Sequence, residues 1–210
     1  MKKQGILVVV SGFAGTGKGT VMKELLNRYD SYALSVSATT RLPRDGEVDG
    51  REYFFKTREE FEQMIQEGAF VEYACYVGNY YGTPKKYVEE QLQNGKDVIL
   101  EIEIQGALKI KEQFPEALLL FIAPPSADVL KQRLTNRGTE TLEVIEKRLA
   151  RAAEEAQGIE NYDYLVVNDV LDECVENVHH MIQCERWRMS RRSEEAKELK
   201  KQISAFAKGE

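Results

Sequence analysis

The chain has 210 residues with 29 basic and 35 acidic side chains, a net charge of −6. That length suits one domain with an insertion or a small lid and leaves little room for two independent domains. The acidic balance excludes a global positive field drawing the chain to nucleic acid or membrane, so any anion must be gripped locally.

The N-terminal apolar run, Ile6 to Val10, is far shorter than a signal peptide core and runs into glycines. It reads as the strand of a strand, glycine loop and helix unit, with Val21, Met22, Leu25 and Leu26 at helical spacing behind the loop. Tyr32 to Ser37 alternates as a strand, and "REYFF" supplies another. Thr57 with Glu60 is a capping box opening a helix that stops at Gly68. "AFVEYACYVGNYYG" reads as an antiparallel hairpin turning near Gly78-Asn79.

An α/β rhythm follows. Pro84, at the first helical position, opens a helix ending at Asn94-Gly95. "DVILEIEI", "ALLLFIA" and "YLVV" have the apolar continuity of strands buried in a parallel sheet. Ser126 caps a predicted helix to Arg137, a second helix runs from about Thr141 to Gln157, and one long helix is predicted beyond Leu171. The fold class is therefore α/β, a parallel sheet flanked by helices, with ligands expected outside the carboxyl ends of the strands.

No apolar stretch approaches the roughly 18 residues of a membrane span. Cys75, Cys174 and Cys184 are odd in number and lack CxxC spacing, which argues against a disulfide framework and a structural zinc site. The expectation is a soluble, unprocessed cytoplasmic protein with reduced thiols.

"GFAGTGKGT", residues 12–20, fits a phosphate-binding loop. Gly12, Gly15 and Gly17 let backbone N–H groups turn inward, with Phe13, Ala14 and Thr16 between them. The helix N-terminus adds its dipole and Lys18 a point charge. The hydroxyl that usually follows the lysine comes one place later, at Thr20 after Gly19. A nucleoside triphosphate donor is implied, and the acceptor remains to be read. In "SVSATTRLPRDGEVDGREYFF", Arg41 and Arg44 could each fork onto an oxyanion, with tyrosine hydroxyls donating to the oxygens left over.

With "GNYYGT", "RGTE" and the glycine loop, that block resembles the guanylate kinase family, from about Gly5 to Arg188. The resemblance implies a P-loop kinase fold with a core of about 1–34, 84–125 and 160–210, a β-rich GMP-binding insertion of about 35–83 and a helical lid of about 126–159. It implies that Arg41, Arg44, Tyr53 and Tyr81 hold the GMP phosphate, that Ser37, Glu72 and Thr83 face guanine, and that Glu47, Glu101 and Glu103 belong to the same site. Glu72 would accept guanine N1–H and the 2-amino group, and the Ser37 and Thr83 hydroxyls would donate to O6. A site so built rejects a base lacking those donors by about 10⁴-fold.

The family's "DID" is "EIE" here; Glu101 and Glu103, two apart on a predicted strand, would share a face. Arg133, Arg137 and Arg148 resemble the family's lid arginines and, with Lys18, Arg41 and Arg44, make up the expected catalytic set. Asn168 joins residues 12–20 at the ATP site. Mg²⁺ would come with ATP, touched by Thr20 and Glu101 directly or through water. The implied partners are ATP and GMP, with dGMP a further acceptor, and no nucleic acid or membrane. Two other readings stay open: a phosphopeptide-binding module of the same fold, and a related kinase with another phosphorylated acceptor.

Overall fold

The computed structural model describes residues 4–76, 78–136 and 142–206. In chain order the strands are β1 (Leu7–Ser11), β2 (Tyr32–Leu34), β3 (Ala38–Thr39), β4 (Phe54–Phe55), β5 (Phe70–Tyr76), β6 (Asn79–Pro84), β7 (Asp97–Glu101), β8 (Leu118–Ala123) and β9 (Tyr164–Val167). The α-helices are α1 (Lys18–Arg28), α2 (Arg58–Gln66), α3 (Lys85–Gln93), α4 (Ile104–Gln113), α5 (Ala127–Asn136), α6 (Leu142–Ala156), α7 (Leu171–Glu185) and α8 (Ser193–Phe206).

Five strands form a parallel sheet in the order β2-β7-β1-β8-β9. Apolar side chains on both faces explain the continuous hydrophobic runs. Val8, Val10, Ile99 and Leu120 pack with Val21 and Leu25 of α1 and Val175 and Val178 of α7. Val9, Val98, Leu100 and Leu119 face Val88 of α3 and Ala107 and Ile110 of α4. A third cluster joins Phe13 and Phe121 to Leu130 and Leu134 of α5 and to Ile145 and Ala152 of α6.

The second sheet, β4-β3-β6-β5, is built from the stretch between β2 and α3. Its antiparallel hairpin turns at Gly78, whose φ of 77° suits glycine. Thr57 and Glu60 make the capping box of α2, each side chain taking the other's backbone N–H at 3.1 and 2.8 Å. Among the described residues no helix is long and apolar enough to cross a membrane, and all three cysteines are free.

Three expectations change. Pro84 is extended (ψ 123°), closes β6 and sits just before α3 instead of inside it. The strand read from "DVILEIEI" ends at Glu101, and Glu103 is the N-cap of α4, so strand alternation does not govern its direction. The long final helix is broken: α7 stops at Glu185, and a 3₁₀ turn at Met189–Arg192 precedes α8. Arg188, extended at ψ 135°, interrupts the helical path, and Arg188 and Arg191 close on buried Glu185 at 3.1 and 3.3 Å. Thr141, Arg137 and the rest of "RGTE" lie outside the described residues.

Candidate active site

The glycine loop leaves β1 and enters α1 at the carboxyl edge of the sheet. A Cβ at Gly12 would lie 2.1 Å from the Ile122 carbonyl oxygen, and one at Gly15, where φ is 89°, would lie 2.8 Å from Leu134. Gly17 is left-handed (φ 87°) and caps α1 without a side chain. The first turn of α1, Lys18-Gly19-Thr20, carries no acidic residue to compete with an anion for the helix dipole, while Thr20 N donates to Gly17 O at 3.0 Å. Thr20 is exposed and Ala14 is exposed, whereas Phe13 is buried against Phe121 at 5.0 Å between ring centroids.

Lys18 folds over this loop, Nζ donating to Gly12 O at 2.5 Å and Phe13 O at 3.1 Å. Thr16 is buried, its Oγ1 donating to Phe13 O at 3.0 Å. The Thr16 carbonyl is held from outside the loop, by Asn168 Nδ2 at 2.7 Å and by an Arg133 nitrogen at 3.4 Å. Arg133 also donates to the Asn168 carbonyl at 2.9 Å, tying α5 to the end of β9.

The second sheet carries the other cluster. One nitrogen of Arg41 reaches both carboxylate oxygens of Glu47 at 2.9 Å, and another donates to Leu42 O at 2.6 Å. Its guanidinium carbon lies 5.3 Å from the Tyr53 ring centroid, and the Tyr53 and Tyr81 rings meet edge to face at 6.0 Å. The Arg44 backbone N–H, ahead of the Arg41 guanidinium, holds the Glu47 carboxyl below its ordinary range. The Arg44 side chain is exposed and makes no hydrogen bond or ion pair among the described residues. Tyr80 turns the other way, stacking on Phe61 and bonding Arg58 and Glu62 beside α2.

Glu72 on β5 stands opposite Thr83 on β6, both buried, and Thr83 Oγ1 donates to Glu72 Oε1 at 2.9 Å. Burial pushes the Glu72 carboxyl above its ordinary range, opposed by the Thr83 bond and the charge of Lys109. Oε2 faces α4, where a Cβ on Gly106 would stand 3.1 Å away.

Glu101 joins the two clusters. At the end of β7 its side chain is open to solvent yet crowded enough that desolvation raises the carboxyl, with Lys18 pulling it down. The field of Glu101 is also felt at Tyr53, whose phenol is raised first by burial and so stays protonated.

Similar proteins identify this arrangement. A family model described as "Guanylate kinase" matches residues 4–185. The guanylate kinase of Oceanobacillus iheyensis is 50% identical over 199 residues, 95% of this chain and 97% of that one. That of Bacillus subtilis strain 168 is 50% identical over 192 residues, 91% of this chain and 94% of that one. The crystal structure of guanylate kinase from Anaplasma phagocytophilum superposes with a TM-score of 0.74 at 34% identity, covering 90% of each chain.

The chain belongs to the guanylate kinase family.

For a guanylate kinase, the sequence-predicted residues are grouped as follows. Residues 12–20, Asn168 and Arg133 meet at the glycine loop. Arg41, Glu47, Tyr53 and Tyr81 meet on the second sheet, and Ser37 lies at its start, its carbonyl accepting from Phe54 N at 2.9 Å. Glu72 and Thr83 form their own pair. Glu103 is drawn elsewhere, to Arg151 at 3.1 Å, and Arg151 also holds Glu155 at 2.7 Å. Arg148 is half-buried on α6. Arg137 lies outside the described residues.

A hydroxyl carries one proton, and in this geometry Thr83 gives it to Glu72. Gly106 was not expected at the site and shows itself only in three dimensions, since α4 meets Glu72 across more than 30 residues of chain. Among the described residues no cluster of three or more His, Cys, Asp or Glu could hold a metal alone. Thr20 and Glu101 supply hard oxygen donors, and so few protein ligands suit Mg²⁺ that arrives on a triphosphate with its remaining shell of phosphate and water. The residues therefore fit that ion.

Proposed function

We propose that this guanylate kinase transfers the terminal phosphoryl group of ATP to GMP, giving ADP and GDP, and takes dGMP as a further acceptor in the cytoplasm. The observation that carries the reading is the position of Glu101 at the end of β7, paired with Val10 just ahead of the glycine loop and within the field of Lys18 and of Tyr53 in the arginine–tyrosine cluster. A phosphate loop and an arginine–tyrosine cluster thus lie on two sides of one strand end.

In this reading residues 12–20 receive the triphosphate and Asn168 and Arg133 hold the loop in shape. Residues 35–83 form the acceptor unit, where Arg41, Arg44, Tyr53 and Tyr81 bind the GMP phosphate and Glu72 reads the base. Ser37 donates to the base carbonyl. Residues of about 126–159 form the lid, from which Arg133 and Arg148 act on the transferring group; Arg137, the third arginine of that set, lies outside the described residues. Mg²⁺ bound with ATP supplies positive charge to the phosphate oxygens.

A GMP phosphate oxygen attacks the γ-phosphorus, a P–O bond forms, and the bond to the β–γ bridging oxygen breaks, leaving its electron pair on ADP. The attacking oxygen is already an anion near neutral pH, so no general base is required. Rate comes from alignment and from charge neutralised by Lys18 and the arginines. Closure of the acceptor unit and lid keeps water from the phosphoryl group.

Turnover of ATP with GMP, AMP, dTMP and a sugar phosphate at equal concentration tests the reading. GMP should lead AMP by about 10⁴-fold in kcat/KM. Equal rates with GMP and AMP would refute base recognition through Glu72.

A further inference from the structure

Ser35 follows β2 directly. Its backbone N–H donates to Ile99 O at 2.9 Å, which extends the ladder one step beyond the Leu34–Ile99 pair and sets Ser35 beside Leu100. Paired residues of a parallel sheet share a face, and successive residues alternate. Leu34 and Ile99 face α1 and α7, so Ser35 stands with Leu100 on the other side. That side is covered by Val71, Val88 and Ala107. Val71 precedes Glu72 and Ala107 follows Gly106, whose Cβ position stands 3.1 Å from Glu72 Oε2, so the elements that cover this face also carry the Glu72 pocket.

Ser35 is only 9% exposed, and its Oγ has no hydrogen-bond partner among the described residues. Burying an unsatisfied hydroxyl works against folding, so such a group calls for an explanation in function. The other buried hydroxyl of this kind, on Tyr162, lies against Phe121, its ring packed between the Leu100–Ala107 cluster and the Phe121–Leu130 cluster. In the base pocket, the Thr83 proton is committed to Glu72. A purine offering N1–H to Glu72 presents its neighbouring 6-carbonyl to a site in which Thr83 has no proton to give.

We propose that Ser35 is a further specificity-determining residue, its hydroxyl donating to the 6-carbonyl edge of the bound purine monophosphate. The assignment rests on the reading of Glu72 and Thr83 as the base pocket. Ser35 keeps a proton available that the Thr83–Glu72 bond withdraws. The unfavourable burial is then relieved when substrate binds.

Steady-state kinetics of Ser35→Ala with GMP, with 6-thio-GMP and against varied ATP, alongside Glu72→Gln, test this. Ser35→Ala should raise KM for GMP about five- to tenfold, the loss of one neutral hydrogen bond. KM for ATP and kcat should stay within about twofold, and the penalty should shrink with 6-thio-GMP, whose sulfur is a poorer acceptor. Thermal unfolding of the protein without substrate should be unchanged or shifted upward, because an unpaired hydroxyl has been removed. An unchanged GMP KM in Ser35→Ala beside a raised one in Glu72→Gln overturns the role of Ser35 alone. Unchanged values in both variants overturn the base pocket and this assignment with it. A lowered unfolding temperature with equal losses toward ATP and GMP makes Ser35 structural and also overturns it.

Discussion

Thr83 Oγ1 donates to Glu72 Oε1 at 2.9 Å, a bond between facing strands that leaves the carboxylate's other oxygen toward α4. Burial raises the Glu72 carboxyl above the ordinary value of about 4.3. GMP, which offers donors, prefers the ionised carboxylate, so its affinity should be full above the raised pKa and fall as pH drops through it. The phosphate of GMP itself titrates near 6, which Glu72→Gln would leave in place. Binding of GMP measured across pH should therefore lose one acid limb, and only one, in that variant. Identical profiles in both proteins would show that Glu72 does not titrate against the base. The sign for folding follows from the same shift: the native state holds the proton more tightly, so Glu72 lowers stability as pH rises from about 4.3 to its raised value.

Gly106→Ala places a methyl group 3.1 Å from Glu72 Oε2 and 3.4 Å from Ile102. Alanine favours a helix over glycine by about 1 kcal/mol, so thermal stability should hold or rise. KM for GMP should nevertheless climb about fivefold, the effect of losing up to about 1 kcal/mol at one hydrogen-bonding group. ATP should be unaffected. An unaltered GMP KM would separate Gly106 from the base site.

Lys18 is bonded to the loop's own carbonyls and, in the proposed function, exchanges them for phosphate oxygens when a triphosphate enters. Lys18→Ala should reduce kcat by about 10³-fold, the scale of one lost charge-stabilising donor. Calorimetry should still show GMP binding within about threefold. Loss of GMP binding together with activity would mean that Lys18 holds the fold.

Asn168→Ala removes the 2.7 Å bond to the Thr16 carbonyl and leaves that oxygen the longer contact to Arg133 at 3.4 Å. Stability should drop by about 1 kcal/mol and KM for ATP rise about tenfold with KM for GMP unmoved. A larger effect on GMP than on ATP would disconnect Asn168 from the donor loop.

What could be read from sequence was mainly local. The glycine loop, the capping box at Thr57 and Glu60 and the turn at Gly78 each depend on neighbours within a few residues, and all three formed. Glu103 was misplaced because β7 ends at Glu101 and α4 takes over its direction. The helix beyond Leu171 was read too long because the clasp of Arg188 and Arg191 on Glu185 is a tertiary event with no periodic signature. Gly106 and Ser35 were invisible for a like reason: one matters through a side chain on another sheet, the other through having no partner. The bracing of Thr16 by Asn168 joins positions 152 apart, which no spacing rule connects.

Arg151 sits three residues beyond Arg148 on α6, on the same side of the helix, and reaches Glu103 at the head of α4. Any swing of α6 that carries Arg148 inward must therefore stretch or remake that ion pair. Since the Glu103 side chain is largely exposed, mobile ions in solution weaken the tether and ease the swing. In the lid closure proposed above, ionic strength would act on this tether separately from its action on the charged substrates.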